Sequence, residues 1–420
     1  MPANKKNLVV LGAGTAGTMV VNKLRKKLKK DEWNITIVDS STAHHYQPGF
    51  LFLPFGTYRA DDIVKPKRKF IPNGVDFRVA EIEKVLPEEN QVLLANGERL
   101  PYDQLVIATG TTPRPDQTEG MDGPQFHDTV HEFYSFEGSK ALGEKLKDWP
   151  GGKLVIHITE MPIKCPVAPL EFTFLADDFF KEKGMRDKVE ITYVTPLDGA
   201  FTKPVASAAL GTMLSDRNVA VEPDFIIERV DDGKIVSYDE REIPFDLLVT
   251  VPLNMGADFV AASGLGDELN YVPVNKQNFL SDKYDNIFAI GDASNIPASK
   301  AGSVAHFAVD LFAENFVSHV AGEEMVHFFD GHANCFIESG DGKGMLIDFN
   351  YDTQPLPGKY PLPGVGPFSL LEESRVNHQG KLFFKWMYWN LLLKGRPLPV
   401  PALMSMAGKE EPKELETTEV

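Results

Sequence analysis

Residues 7–17 read NLVVLGAGTAG, and this segment limits the possible folds more than any other. The run 7–11 is short, continuous and apolar, as a buried parallel strand is. Gly12, Gly14 and Gly17 follow in GxGxxG spacing, and a helical pattern then places Ala16, Met19, Val20, Leu24 and Leu28 on one side. Lys26, Lys27, Lys29 and Lys30 close that helix, where its dipole favours cations. A second strand, 35–38, ends on Asp39, 22 residues beyond Gly17. Gly12 permits the tight turn, Gly14 lets the backbone approach a pyrophosphate, and Gly17 lets helix and strand pack closely. The helix N-terminus offers free N–H groups to the phosphates, and Asp39 is placed to accept from a ribose hydroxyl. The segment predicts an α/β, Rossmann-like dinucleotide-binding unit.

At 420 residues the chain exceeds one ordinary core, so two or three domains are expected. Its net charge of −17 argues against nucleic acid as a partner, because phosphate backbones need a basic face. The apolar run 8–11 reads as a strand and not as a secretory signal. With no run of 18 apolar residues, no transmembrane helix is expected, and the cytoplasm is the default compartment. The two cysteines, Cys165 and Cys335, taken alone read as buried inert thiols.

Two later segments narrow the nucleotide. Residues 91–110 read QVLLANGERLPYDQLVIATG, with an Asn96-Gly97 hairpin turn and a buried strand ending in Ala108-Thr109-Gly110. Residues 286–293 read NIFAIGDA, another buried strand ending in Gly291-Asp292. These segments resemble the two-dinucleotide-binding-domain flavoproteins. The resemblance implies FAD, with Asp292 on its ribitol and Thr109, Gly110 and Gly291 at the same site. It also implies a discontinuous FAD domain, 1–115 with 270–330, around a second Rossmann-like domain, 116–269. A C-terminal region, 331–420, follows, with a disordered tail from about 409.

The second domain lacks the glycines of the first. After the strand 153–158 the chain reads HITEMPIKCPVAPLEF, with Pro162 and Pro166 where a phosphate loop would open. Without glycine the backbone stays away from a pyrophosphate, so no NAD site is expected there. Cys165 stands in the vacated loop. KCPVAPLEF, DLLVTVP, YVPVNKQNFLS, GDASNIPASKAGSVAH, Cys335-Phe336 and GKLFFKWMYWN together resemble the sulfide:quinone oxidoreductases and flavocytochrome c sulfide dehydrogenases. The resemblance implies that Cys165 and Cys335 face each other across the flavin as a disulfide or polysulfide bridge. Hydrosulfide attacks the bridge, Cys335 relays two electrons to the flavin, and zero-valent sulfur or polysulfide leaves. Such exchange needs thiolates, so a nearby cation or base should depress a cysteine pKa.

The same resemblance carries further residues. Glu171 matches an acid proposed to move protons, with a surface carboxylate as the alternative. Lys300 matches the flavin edge, again with a surface lysine as the alternative. Phe336 and Phe384 match aromatics that sandwich a quinone, and Lys381 matches a lysine near its ring. His127 and His131 lie where many members have a third cysteine, so the FAD is expected to be non-covalent.

Residues 381–396, KLFFKWMYWNLLLKGR, are too short to span a bilayer. They suit a helix in the membrane interface, and from 375 to 396 there are five basic residues and no acidic one, which suits an anionic lipid surface. A core helix or a dimer contact is the alternative, which leaves a homo-oligomer open. Hydrosulfide, quinone and a membrane surface, docked from the cytoplasmic side, are therefore the expected partners. The other readings are a flavocytochrome c-type dehydrogenase, a coenzyme A-disulfide reductase and a catalytically silent FAD-binding sulfur carrier. No metal-ligand set is expected.

Overall fold

The computed structural model describes residues 5–398 and 400–410. Its first sheet has five parallel strands in the order Ile287–Ala289, Gln104–Ile107, Lys6–Leu11, Trp33–Asp39, Asp76–Val79. Leu8, Val9, Val10 and Leu11 are all buried, as a central strand of a covered parallel sheet requires. The helix Thr15–Lys27 crosses back from the first strand and packs on the helix Gly302–Val320. Lys23 bonds Asp310 at 2.6 Å and Lys27 bonds Glu314 at 2.7 Å across that contact. Strands from 6–107 and from 287–289 thus share one sheet.

The glycines of the first turn are sterically required at two positions. Gly12 has φ of +95°, and a Cβ there would lie 2.5 Å from the Ala108 carbonyl oxygen. A Cβ on Gly17 would lie 1.9 Å from the Gly12 carbonyl oxygen. Gly14 differs, because a Cβ there would meet no protein atom within 4 Å.

A second parallel sheet has the order Val130–His131, Leu247–Val251, Gly152–Ile158, Val189–Val194, Ala220–Glu222. The antiparallel pair Thr112–Arg114 and Leu253–Met255 carries the chain into and out of it. The helix Ala168–Glu182 follows the strand Gly152–Ile158 and opens on Pro169, a residue suited to a first turn. Leu170, Phe172, Phe174 and Phe180 are buried along it. Glu171, among these residues near the start of the helix, is itself fully buried.

The C-terminal region forms a four-stranded sheet ordered Ala333–Gly340, Lys343–Phe349, Gly366–Leu370, Gly358–Leu362. Its first strand lies against the helix Ala168–Glu182. The helix Arg375–Met387 follows, capped by the Ser374 hydroxyl accepting from the Asn377 N–H, and runs into a π-helical turn, Tyr388–Leu392.

Two expectations are corrected here. The segment 381–396 is not one interfacial helix. Phe383 and Trp386, stacked at 5.3 Å, face outward at 54% and 51% exposure, whereas Tyr388, Trp389, Leu392 and Leu393 are buried. Residues from the π-turn onward pack on the first nucleotide unit, where Asn22 donates to the Leu393 carbonyl at 2.9 Å. Lys409 and Glu410, expected to lie in a disordered tail, are instead packed on the C-terminal sheet. The Lys409 ammonium reaches the buried Asp348 carboxylate at 2.5 Å, and the Glu410 N–H donates to the Pro357 carbonyl at 2.9 Å. Burying that charge pair ties the strap to the sheet. Residues 411–420 lie outside the described residues.

Candidate functional site

One cavity of about 480 Å³ runs from the first glycine turn to the C-terminal helix. Gly14, Thr15, Thr109, Gly110, Gly291 and Asp292 line it, and Cys165, Cys335, Glu171 and Lys381 form its sulfur-bearing end. The helix Thr15–Lys27 carries no side-chain cap, so its first N–H groups are available to an anion. The Thr109 and Thr111 hydroxyls are buried with no partner among the described residues. Open space above Gly14, uncapped N–H groups and unpartnered hydroxyls along one channel fit a bound dinucleotide.

Asp39 lies behind this wall and not on it. Its carboxylate accepts from the Ala13 N–H at 2.7 Å and the Ser41 N–H at 2.9 Å and pairs with the buried Lys67. Gly12 and Gly17 likewise shape the turn from behind. Lys300 is buried rather than on the surface. It donates to the Ser294 carbonyl at 2.8 Å and sits 4.1 Å from the centre of the Tyr271 ring. Burial pulls its ammonium down to about 8, against Asp292 and Asp267. Burial pushes the Asp292 carboxyl up, opposed by Lys300 and Lys164.

At the sulfur end, Cys165 has φ of +45°, a left-handed conformation that costs a non-glycine residue about 1–3 kcal/mol. Its surroundings hold it there. The Cys165 N–H donates to the Lys300 carbonyl at 2.8 Å, while its own carbonyl accepts from the Ala168 N–H at 2.9 Å and the Tyr134 hydroxyl at 3.1 Å. The loop that would cradle a phosphate is thereby folded onto the first nucleotide unit. Cys335 comes from the strand Ala333–Gly340, and both thiols are free.

A cation stands beside the sulfurs, as expected, yet the thiols are not depressed. Burial pushes the Cys335 thiol up to about 12, with Lys381 the main opposing influence and the Ser303 hydroxyl a smaller one. Cys165 is pushed up as well, by burial and by Glu171, against Lys381. Desolvation of two thiols outweighs one ammonium already shared with a carboxylate.

That carboxylate is Glu171, fully buried and bonded through Oε1 to Lys381 Nζ at 2.6 Å. Lys381 Nζ also donates to the Phe336 carbonyl at 2.8 Å. Burial raises Glu171, against Lys381 and the Glu338 N–H. Glu171, Cys165 and Glu338 raise Lys381 against the effect of its burial. Beyond this pair the cavity turns apolar. Phe336 meets Phe368 edge-on at 5.2 Å, and Phe384 and Met387 line the same space. A Cβ on Gly380 would strike both Phe368 and Phe336, at 2.7 and 2.8 Å, so glycine lets both rings pack directly on the helix backbone.

Cys165, Cys335, Glu171, Lys381, Phe336, Phe384, Thr109, Gly110, Gly291, Asp292 and Lys300 all line one cavity. His127 and His131 do not line it. The His131 ring is buried at the edge of the second sheet against the Asp128 carbonyl, and burial lowers it to about 4. Several residues were not singled out from sequence. Tyr388 bridges the two ends of the chain, its hydroxyl 2.7 Å from both Thr15 Oγ1 and His44 Nε2. Glu338 and His378 bond each other beside Glu171. The spacing of His378 and Lys381, three residues apart on one helix, was the available signal.

Residues 6–155 match the family model described as pyridine nucleotide-disulphide oxidoreductase. The mitochondrial sulfide:quinone oxidoreductase of Dictyostelium discoideum is 28% identical over 94% of this chain and 87% of its own length. A type II NADH:quinone oxidoreductase of Staphylococcus aureus is 26% identical over 86% of this chain and 93% of its own length. The X-ray structure of the sulfide:quinone oxidoreductase from Aquifex aeolicus superposes with a TM-score of 0.77 at 21% identity, covering 93% of this chain and 92% of that one. The chain is therefore a homologue of the sulfide:quinone oxidoreductases, built on the pyridine nucleotide-disulphide oxidoreductase fold.

Proposed function

We propose that this protein is an FAD-dependent sulfide:quinone oxidoreductase that works at a membrane surface. The observation that carries this reading is that Cys165 and Cys335 both line one cavity that also holds the Lys381–Glu171 pair. Gly14, the first N–H groups of the helix Thr15–Lys27, Thr109, Gly110 and Asp292 would hold the FAD. FAD bound there supplies a two-electron acceptor for sulfide and a two-electron donor for quinone. Both cysteines are engaged in sulfur chemistry, so the cofactor is held non-covalently.

In the oxidised protein Cys165 and Cys335 form a bridge. Hydrosulfide attacks one sulfur, a new S–S bond forms as the bridge breaks, and a persulfide and a thiolate remain. Lys381, the cation that draws both thiols downward, stabilises that thiolate. Glu171 holds or releases a proton beside it. The slot between Phe336 and Phe384 accepts a flat quinone ring, with the Lys381 ammonium at its edge.

The NADH:quinone relatives suggest a second reading. It is disfavoured because the segment 159–167 has no glycine and is folded onto Lys300. The exposed Phe383 and Trp386 form the membrane contact. Lys65, Lys69, Lys385 and Lys394 cluster closely enough that the others, together with burial, lower Lys65, and this basic rim suits anionic headgroups. Among the described residues no helix is long and apolar enough to cross a bilayer, as peripheral docking requires.

The test is anaerobic mixing with sulfide while flavin absorbance is followed. Bleaching without quinone, then recovery when a short-chain quinone is added, is expected. A flavin that sulfide leaves oxidised would refute the reading.

A further inference from the structure

Glu338 and His378 have no part in the chemistry above, yet they continue its polar chain to the protein surface. Glu338 lies three residues after Cys335 on the strand Ala333–Gly340. His378 lies three residues before Lys381 on the helix Arg375–Met387, so both side chains share a helix face. The Glu338 N–H donates to Glu171 Oε1 at 2.8 Å, and its carboxylate Oε2 bonds His378 Nδ1 at 2.8 Å. The Glu338 side chain is 2% exposed and that of His378 20%. The groups lie in the order Lys381, Glu171, Glu338, His378, with the Glu338 backbone N–H making the contact to Glu171, and His378 is the member that meets water.

A second observation concerns the two carboxylates. Glu171 Oε2 and Glu338 Oε1 are both buried and have no partner among the described residues. Two neighbouring buried carboxylates, each with an idle oxygen, are costly when both are ionised. One proton held between them removes that cost, and each idle oxygen is a place to put it. Burial raises Glu338, as does the charge of Glu171, while His378 and Lys381 oppose. Tyr58 also faces this cluster, and burial holds its phenol up, at about 12. The titratable groups around Glu338 are thus Glu171, Lys381, His378 and Tyr58.

The reaction under the proposed function needs a proton from solvent. Hydrosulfide, quinone and one proton give zero-valent sulfur and quinol. The S–H proton supplies one quinol hydrogen, and the other must enter from outside. We propose that His378 and Glu338 are the proton inlet of this site: His378 takes a proton from water and passes it through Glu338 to Glu171 and Lys381 at the quinone slot. This rests on the sulfide:quinone reading. A histidine suits the surface end, because its two ring nitrogens can take a proton from one side and give one up on the other.

His378→Gln and Glu338→Gln test the inlet, with flavin content and thermal melting as folding controls. Bleaching of the flavin by sulfide without quinone consumes no solvent proton through this route and is expected to be unchanged. Turnover with quinone is expected to fall about tenfold or more near pH 8, with the deficit widening as pH rises. The solvent deuterium isotope effect should increase, and added imidazole should restore His378→Gln. A His378→Gln profile parallel to wild type, with no isotope change and no response to imidazole, overturns the inlet. His378 is partly exposed, so this variant carries the test even where Glu338→Gln fails to fold. Failure of sulfide to bleach the wild-type flavin is a different result, which overturns the underlying function instead.

Discussion

Lys381→Met removes the cation at the sulfur end while keeping most of the side-chain stem. Lys381 Nζ is 2.6 Å from Glu171 Oε1, and the two side chains are 12% and 1% exposed. Removing one partner of such a pair costs about 3–5 kcal/mol when the other charge stays buried. Glu171 has an escape, because burial already raises its carboxyl and Lys381 is the main force holding it down. Without the lysine it takes up a proton, so the expected loss near neutral pH is at the low end, about 3 kcal/mol. In the variant the folded state binds the Glu171 proton more tightly than the unfolded chain does. Its stability is therefore full below the unfolded carboxyl value and is lost as pH rises through the folded one. The double variant Glu171→Gln/Lys381→Met buries no charge and should regain about 2 kcal/mol or more over Lys381→Met alone. Function should not return with stability. Lys381 is the main influence drawing the Cys335 thiol below the level burial sets, and each unit of further rise reduces the thiolate about tenfold. Urea unfolding across pH and stopped-flow reduction by sulfide measure the two effects. A Lys381→Met protein as stable as wild type at every pH, or one that sulfide reduces at the wild-type rate, would refute the reasoning.

The glycine turn and the C-terminal helix give two paired predictions. Gly14→Ala should fold, since a Cβ there meets no protein atom within 4 Å, but should lose flavin on dialysis. Gly17→Ala should be destabilised even without cofactor, since its Cβ would lie 1.9 Å from a backbone oxygen; flavin absorbance and melting temperature separate the two. Trp386→Ser should leave stability unchanged and reduce sedimentation with anionic vesicles. Trp389→Ala, at a buried site, should cost about 3–5 kcal/mol in chemical denaturation.

The nucleotide unit was legible because a strand, a turn and a helix follow one another within residues 6–27, and Gly17 must be glycine where a Cβ would meet the nearby Gly12 carbonyl. The burial of Lys300 was not, because it depends on the pairing of the 164 and 300 loops, remote in sequence. Asp39 illustrates the same limit. Its ion pair with Lys67, brought in by a separate strand pairing, could not be read from the local spacing. In the segment 381–396 composition read as uniformly amphipathic, whereas the π-turn at 388–392 divides an outward pair from an inward group. The strap 400–410 has no periodicity to announce it, and its anchor is a buried lysine on a distant aspartate. Glu338 and His378 meet only because a strand and a helix distant in sequence are packed side by side.

The central claim is that electrons enter from sulfide through Cys165 and Cys335 and not from a nicotinamide. Parallel anaerobic titrations of the oxidised protein with sulfide and with NADH test it most directly, with Cys335→Ser as the control. The expected result is stoichiometric bleaching of the flavin by sulfide, an unchanged spectrum with NADH, and a Cys335→Ser protein that retains flavin but resists sulfide. Rapid reduction by NADH, or sulfide reduction that survives Cys335→Ser, would contradict it.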